Sequence, residues 1–289
     1  MLQRIVTGTI FTIVVLALVI PAYFFPAILL VFTFLVTCLA LYELIKAARE
    51  KEKEMSISVT VIGGFLGFLP VTLWVANYGT AAQGFTLYAL VTLIYCFVTT
   101  MFPPLAKEHP EAIRSGFASS MIALYVSFPI ACTHVMMFLI PKGWFFMVVG
   151  LFAPWVSDVF AYFCGSFFGK HKIVPHISPK KTWEGCIGGA VFTSILTALF
   201  FAFVMNNVID VEMPYAVYVA LAGFFGFFLS CVSQLGDWMA SSVKRLVGVK
   251  DFGTLMPGHG GVMDRFDSAF FTLPVALGLA FVVLYGGVL

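Results

Sequence analysis

The sequence predicts an all-α, polytopic integral membrane protein of about nine transmembrane helices with its N-terminus in the cytoplasm. Three observations predict it: the composition, the lengths of the charge-free runs and the placement of the basic residues. Of 289 residues, 61% are hydrophobic and only 10% are charged, and the mean hydropathy is +1.02. A soluble domain is about 25% charged, so lipid must be the solvent for most of this chain. That excludes an ordinary water-facing fold; the net charge of +2 says little by itself, and no nucleic-acid partner is expected.

The elements follow in order. Ile5 to Tyr42 carries no Lys, Arg, Asp or Glu. It is long enough for two spans of about 20 residues each, with the break at Pro21 to Pro26. Arg4 and the apolar run after it resemble a signal peptide, but no small-residue cleavage site follows and the next span begins at once. The first helix is therefore expected to be retained. Lys46 to Met55 alternates cations with Glu and reads as a solvated helix extension near the headgroups. Met55 to Ala106 is again charge-free and holds two spans, with a turn at Asn77 to Gly84. Lys107-Glu108-His109-Pro110-Glu111 reads as a solvated turn. Single spans follow at Ser115 to Pro141, Gly143 to Gly169, Gly185 to Ile209, Met213 to Gly236 and Ser268 to Leu289.

With the N-terminus inside, 15 of the 16 Lys and Arg residues fall on the cytoplasmic side and only Lys142 falls outside, as the positive-inside rule requires. The outer loop near Asp210 and Glu212 is acidic. Residues 1–289 read as one membrane domain. The spans of 1–140 precede a half, 141–289, that carries two long cytoplasmic loops, 170–184 and 237–265. The six cysteines are scattered through apolar runs without paired spacing, which fits packing residues better than disulfides or zinc.

Polar residues stand out in three places. Asp158 lies about 12 residues before Lys170, which on a helix is about 18 Å into the bilayer. An Asp at that depth costs about 2.5–3.5 kcal/mol on insertion scales and usually faces a polar cavity or a partner. The loop from Gly169-Lys170-His171-Lys172 to Ser178-Pro179-Lys180-Lys181-Thr182 gathers cations and hydroxyls just before a new helix. Such a helix start suits an anion, so Ser178, Lys180, Lys181 and Thr182 are candidate phosphate contacts. The third place is richest. Asp237 closes the eighth span, and Lys244, Arg245 and Lys250 follow. Gly258, Gly260 and Gly261 flank His259 and let the backbone approach a ligand closely. Asp264 and Asp267 are spaced i, i+3, so at the start of the ninth helix both carboxylates can point one way. Carboxylates from two helix ends suit Mg²⁺, a hard cation that shares its shell with substrate phosphate. Salt bridges among the same residues are the plain alternative, and they would not by themselves call for the glycine-rich segment.

These blocks resemble the phosphatidate cytidylyltransferase (CDP-diacylglycerol synthase) family. The signature runs through Ser241-Ser242-Val243-Lys244-Arg245, Lys250-Asp251-Phe252-Gly253 and Pro257-Gly258-His259-Gly260-Gly261-Val262-Met263-Asp264-Arg265-Phe266-Asp267, spread over 27 positions. Ser157-Asp158, Ala161-Tyr162, Gly165, Phe168-Gly169-Lys170 and Ser178 to Gly185 are similar to the family's other block. The N-terminal half is similar only as a set of apolar spans. Two positions depart: Met256 stands where Leu, Ile or Phe is usual, and Ala240 where many members have Glu.

The resemblance implies condensation of CTP with phosphatidic acid to CDP-diacylglycerol and pyrophosphate, at the inner face of the cell membrane, with Mg²⁺ required. It implies metal contacts from Asp237, Asp264 and Asp267, with Asp158 close by; Ala240 leaves the number of ions open, a second one included. Lys244, Arg245, Lys250 and Arg265 would neutralise the triphosphate, and His259 would donate to phosphate. Ser178, Lys180, Lys181 and Thr182, together with Gly260, Gly261 and Asp158, would contact substrate. A homodimer is compatible with this reading. The rivals are a cytidylyltransferase for another lipid phosphate and, from a different class, a transporter coupled through Asp158.

Overall fold

The computed structural model describes residues 2–69, 71–73, 80–106, 110–209, 213–258 and 260–285. Among these residues the structure is helical, without a β-strand: α1 Leu2–Ala22, α2 Ala27–Ala48, α3 Ile57–Leu66, α4 Ala81–Ala106, α5 Pro110–Leu139, α6 Gly143–Phe168, α7 Trp183–Phe203, α8 Tyr215–Val247, α9 Met263–Phe266 and α10 Ala269–Tyr285. Among the described residues, seven helices are long and apolar enough to cross a membrane: α2, α4 to α8, and the stretch Met263–Leu284. Two apolar helices near this set are shorter, Val6–Ala22 and the one that begins at Ile57. The first and third of the nine expected spans fall on these two shorter helices. Lys107, Asp210, Glu212 and His259, and the turn at Asn77, lie outside the described residues.

The chain divides into two compact units, residues 1–139 with 244–266, and residues 140–243 with 267–289. In the first unit α2 packs on α1, α3 and α5, and α5 on α3 and α4. Pro26 ends the turn after α1, and α2 begins beside it at Ala27. Buried polar side chains pair across this unit. His134 on α5 meets the Thr33 hydroxyl through Nε2 at 2.9 Å and the Thr72 hydroxyl through Nδ1, and Thr60 donates to Ser119 at 3.0 Å. In hydrocarbon such groups must find protein partners, because water is absent. The chain after α2 does not extend the helix into the headgroups: α2 stops at Ala48 and turns follow. There Glu52 pairs with Arg114.

In the second unit α6 packs on both α7 and α10. The face of α7 toward α6 is built from Gly185, Gly188 and Gly189; a Cβ at any of them would press on Ala161, Cys164 or Ser157 of α6. Small residues thus bring the two backbones together, as is common between membrane helices. The Thr272 hydroxyl ties α10 to the Gly150 carbonyl at 2.6 Å.

Two boundaries differ from expectation. Asp237 does not close a helix. α8 continues to Val247 because no Gly or Pro interrupts 237–247. It ends at Gly248, whose φ of +80° accompanies Val249 N–H donating to the Lys244 carbonyl at 2.9 Å, a left-handed helix stop. Asp264 and Asp267 do not share one continuous helix. α9 ends at Phe266 and α10 begins at Ala269, since the Asp267 carboxylate accepts the Ser268 N–H at 2.7 Å and its hydroxyl at 3.2 Å. An Asp bonded to the next backbone N–H competes with helix continuation.

Candidate active site

Candidate site residues form a lysine–aspartate pair in each unit. In the first, the chain from Gly248 to Phe266 is folded around Asp264. Its side chain is 3% exposed, and Oδ1 accepts from Lys244 Nζ at 2.9 Å, whose own side chain is 11% exposed. Oδ2 accepts the N–H groups of Phe252 and Gly261, each at 2.9 Å, with Gly253 N–H further off at 3.5 Å. Met256 N–H donates to the Gly260 carbonyl at 2.9 Å. Gly258 and Gly260 both have φ of +80°, a conformation that suits glycine. Lys244 also lies 5.2 Å from the centre of the Phe252 ring, within cation–π range. Arg245 and Lys250 are exposed, and Arg265 is half-buried.

Sequence reasoning missed one member of this cluster. Glu43, on α2, is 4% exposed and accepts the N–H groups of Val262 at 3.0 Å and Met263 at 2.8 Å. A Cβ at Gly253 or Gly261 would collide with its carboxylate. Those glycines therefore admit a carboxylate of the chain itself. The signal available was slight: Glu43 is the first charge after a run of 38 uncharged residues and reads as the end of a span.

On its other side the same loop borders an apolar groove of about 390 Å³, lined among others by Ile10, Val14, Val36 and Leu39 of α1 and α2, with Met256 and Pro257 from the loop. Met256 is thus an apolar wall residue, as Leu, Ile or Phe would be.

In the second unit Lys181 pairs with Asp237 on α8 and lies 5.9 Å from the Trp238 ring centre. Both side chains of the pair are about a quarter exposed, 24% and 26%. Thr182 is buried and caps α7, its hydroxyl accepting the Gly185 N–H at 3.2 Å. Glu184 accepts the backbone N–H groups of Lys170 and His171 at 3.1 and 3.3 Å, and His171 Nδ1 lies 2.6 Å from it. That carboxylate folds the lysine-rich loop back on the helix start, where Ser178 is half-buried and Lys180 exposed. Asp158 is exposed at the middle of α6, next to Ser157, whose hydroxyl lies 2.6 Å from that of Ser230. Ala240 sits on the buried face of α8.

Among the described residues, no three His, Cys, Asp or Glu side chains gather as a metal set. The donor chemistry nevertheless fits a hard cation. Asp264 and Asp237 are oxygen donors, and each holds a lysine ammonium. The positive charge each of them meets in the structure is that ammonium.

Apolar helices of membrane-spanning length, with a buried lysine–carboxylate pair beside a glycine-rich loop in one unit and a partly exposed pair in the other, define a polytopic membrane protein with charged groups set among its helices. The sequence matches the cytidylyltransferase family over residues 2–283, and the chain belongs to that family. It is 32% identical over 285 residues to the phosphatidate cytidylyltransferase of Bacillus subtilis, covering 95% of each chain. It is 31% identical over 248 residues to the Staphylococcus saprophyticus enzyme of that name, covering 86% of this chain and 88% of the relative. The match includes α1 and α2, so the likeness extends to the N-terminal spans.

Proposed function

We propose that the protein is an enzyme that transfers the cytidylyl group of CTP to phosphatidate, forming CDP-diacylglycerol and pyrophosphate. The observation that carries this is the end-to-end match to relatives bearing that activity in their name. A phosphate oxygen of phosphatidate attacks the α-phosphorus of CTP, and the bond to the β-phosphate breaks as pyrophosphate leaves. The nucleophile is already an anion, so position and charge neutralisation are what the protein must supply.

Lys244, Arg245, Lys250 and Arg265 take the triphosphate and the leaving pyrophosphate, and His259 donates to phosphate. Lys180, Lys181, Ser178 and Thr182, with Gly260, Gly261 and Asp158, serve the phosphate of the lipid or of the nucleotide. Asp237, Asp264 and Asp267 are the residues that would hold Mg²⁺. The ion would supply charge neutralisation at phosphate oxygens. Lys244 and Lys181, which Asp264 and Asp237 hold, are ammonium groups that would serve phosphate if a cation took their place on the carboxylates. The apolar groove beside the signature loop supports a lipid as the second substrate, because it offers acyl chains a wall next to the cationic side. With nine spans, and with the N-terminus and these loops on the cytoplasmic side of the cell membrane, as the distribution of Lys and Arg supports, the chemistry would lie where CTP is found.

The test uses the purified protein in detergent with labelled CTP, phosphatidate and Mg²⁺. Product that requires all three and disappears with EDTA is the expected result. A folded preparation that makes no CDP-diacylglycerol but cytidylylates another lipid phosphate would replace the substrate.

A further inference from the structure

Glu43 belongs to no part of the signature and lies 219 and 220 residues from the two backbone N–H groups it binds. The contact is two-sided. One carboxylate oxygen takes Val262 N–H and the other takes Met263 N–H, while Gly253 and Gly261 pass so close that a methyl group on either would strike the same carboxylate. Asp264 takes the N–H groups of Phe252 and Gly261. Two carboxylates of the chain, one on α2 and one in the loop, thus anchor the backbone between Phe252 and Asp264 before any nucleotide arrives. Phe266, just beyond, meets the rings of Phe11 and Phe32 at centroid distances of 5.8 and 6.0 Å, so α1 and α2 support the same stretch.

We propose that Glu43 is a positioning residue: it pre-organises the 252–264 loop, so that Asp264 and Lys244 stand ready and the loop need not order itself around CTP. The inference rests on the cytidylyltransferase reading for its kinetic arm. The site needs a carboxylate at this length. Glutamine offers one acceptor and turns an NH₂ toward the second N–H group. Aspartate is shorter by one methylene, about 1.5 Å, and falls short of both. A binding segment held in its bound form spares the ordering cost that a mobile one carries.

The experiment is hydrogen exchange, read by mass spectrometry on peptides covering 252–264, for the full-length protein in detergent with and without CTP and Mg²⁺. Wild type, Glu43→Gln and Glu43→Ala are compared. Wild type should show the same protection in both states. The Glu43 variants should exchange at least tenfold faster without CTP and regain protection with it. The KM for CTP should rise at least tenfold while kcat at saturating CTP changes by less than threefold, a split that a loss of folded protein does not produce. Exchange unchanged from wild type in the CTP-free variants overturns the proposal. Should either variant fail to fold, Gly253→Ala pushes on the same carboxylate from the loop side and must show the faster exchange; unchanged protection there overturns the proposal equally. If wild type makes no CDP-diacylglycerol yet the CTP-free exchange differs as expected, the substrate reading fails and the positioning role stands.

Discussion

Asp264→Asn replaces one oxygen by NH₂ with almost no change of volume, and the surroundings of Asp264 set what that costs. If the amide oxygen keeps the Phe252 and Gly261 N–H groups, the NH₂ faces Lys244 Nζ, which lies 2.9 Å from the present Oδ1. A lysine only 11% exposed then loses its anion, and breaking a buried pair from one side costs about 3–5 kcal/mol. If the amide flips, Lys244 keeps an acceptor and two backbone N–H groups lose a charged one, at roughly 1.5–3 kcal/mol each. Either way the cost is about 3 kcal/mol or more. At about 2–4 °C per kcal/mol for a chain of this size, the midpoint of thermal unfolding in detergent should fall by roughly 6–12 °C. Turnover at saturating CTP and Mg²⁺ should fall at least a hundredfold. The companion variant Lys244→Met/Asp264→Asn leaves neither partner charged and should recover more than half of the lost midpoint. It should recover no activity, since both groups are assigned to the chemistry. A single variant with an unchanged midpoint and turnover within threefold of wild type would refute both the anchoring role and the metal assignment.

Other substitutions separate geometry from chemistry. Gly248 and Gly260 share a φ of +80°, but a Cβ at Gly248 meets nothing within 4 Å, whereas one at Gly260 would lie 2.6 Å from Asp264 Oδ2. Gly248→Ala should therefore cost about 1 kcal/mol, the backbone term alone, with turnover within threefold of wild type. Gly260→Ala should lower both the unfolding midpoint and turnover by clearly more, read in the same two assays. Lys181→Met removes a pair whose members are about a quarter exposed. Such a pair contributes on the order of 1 kcal/mol or less, so the midpoint should move by no more than about 4 °C, while steady-state turnover drops at least tenfold. Val36→Trp fills part of the apolar groove and should raise the KM for a long-chain phosphatidate several-fold without moving the KM for CTP; equal effects on both would detach the groove from the lipid.

The helical framework was legible because its signals are local. Proline at 21 and 26 brackets the first turn, charge-free length marks each span, and Gly248 ends α8 once the helix is followed past Asp237. The cluster of Lys244 and Asp264 was legible for the same reason, both lying in one motif. What the motif concealed was how its polar groups are used. As sequence, the glycines read as room for a ligand that ion pairing alone does not call for, yet Gly253 and Gly261 make room for Glu43, and the two lysine–carboxylate pairs are formed. Glu43 could not be read as a partner, because a charge at the end of an apolar span is the ordinary mark of the membrane boundary, and its hydrogen bonds go to backbone N–H groups, which leave no trace in residue identity. A loop that will meet a triphosphate must keep its N–H groups satisfied in the empty enzyme, since unsatisfied donors are costly away from water. Carboxylates can do this only if cations balance them and glycines let them in. The spacing of lysine, glycine and aspartate in the signature is therefore as much a description of the resting loop as of the substrate it binds.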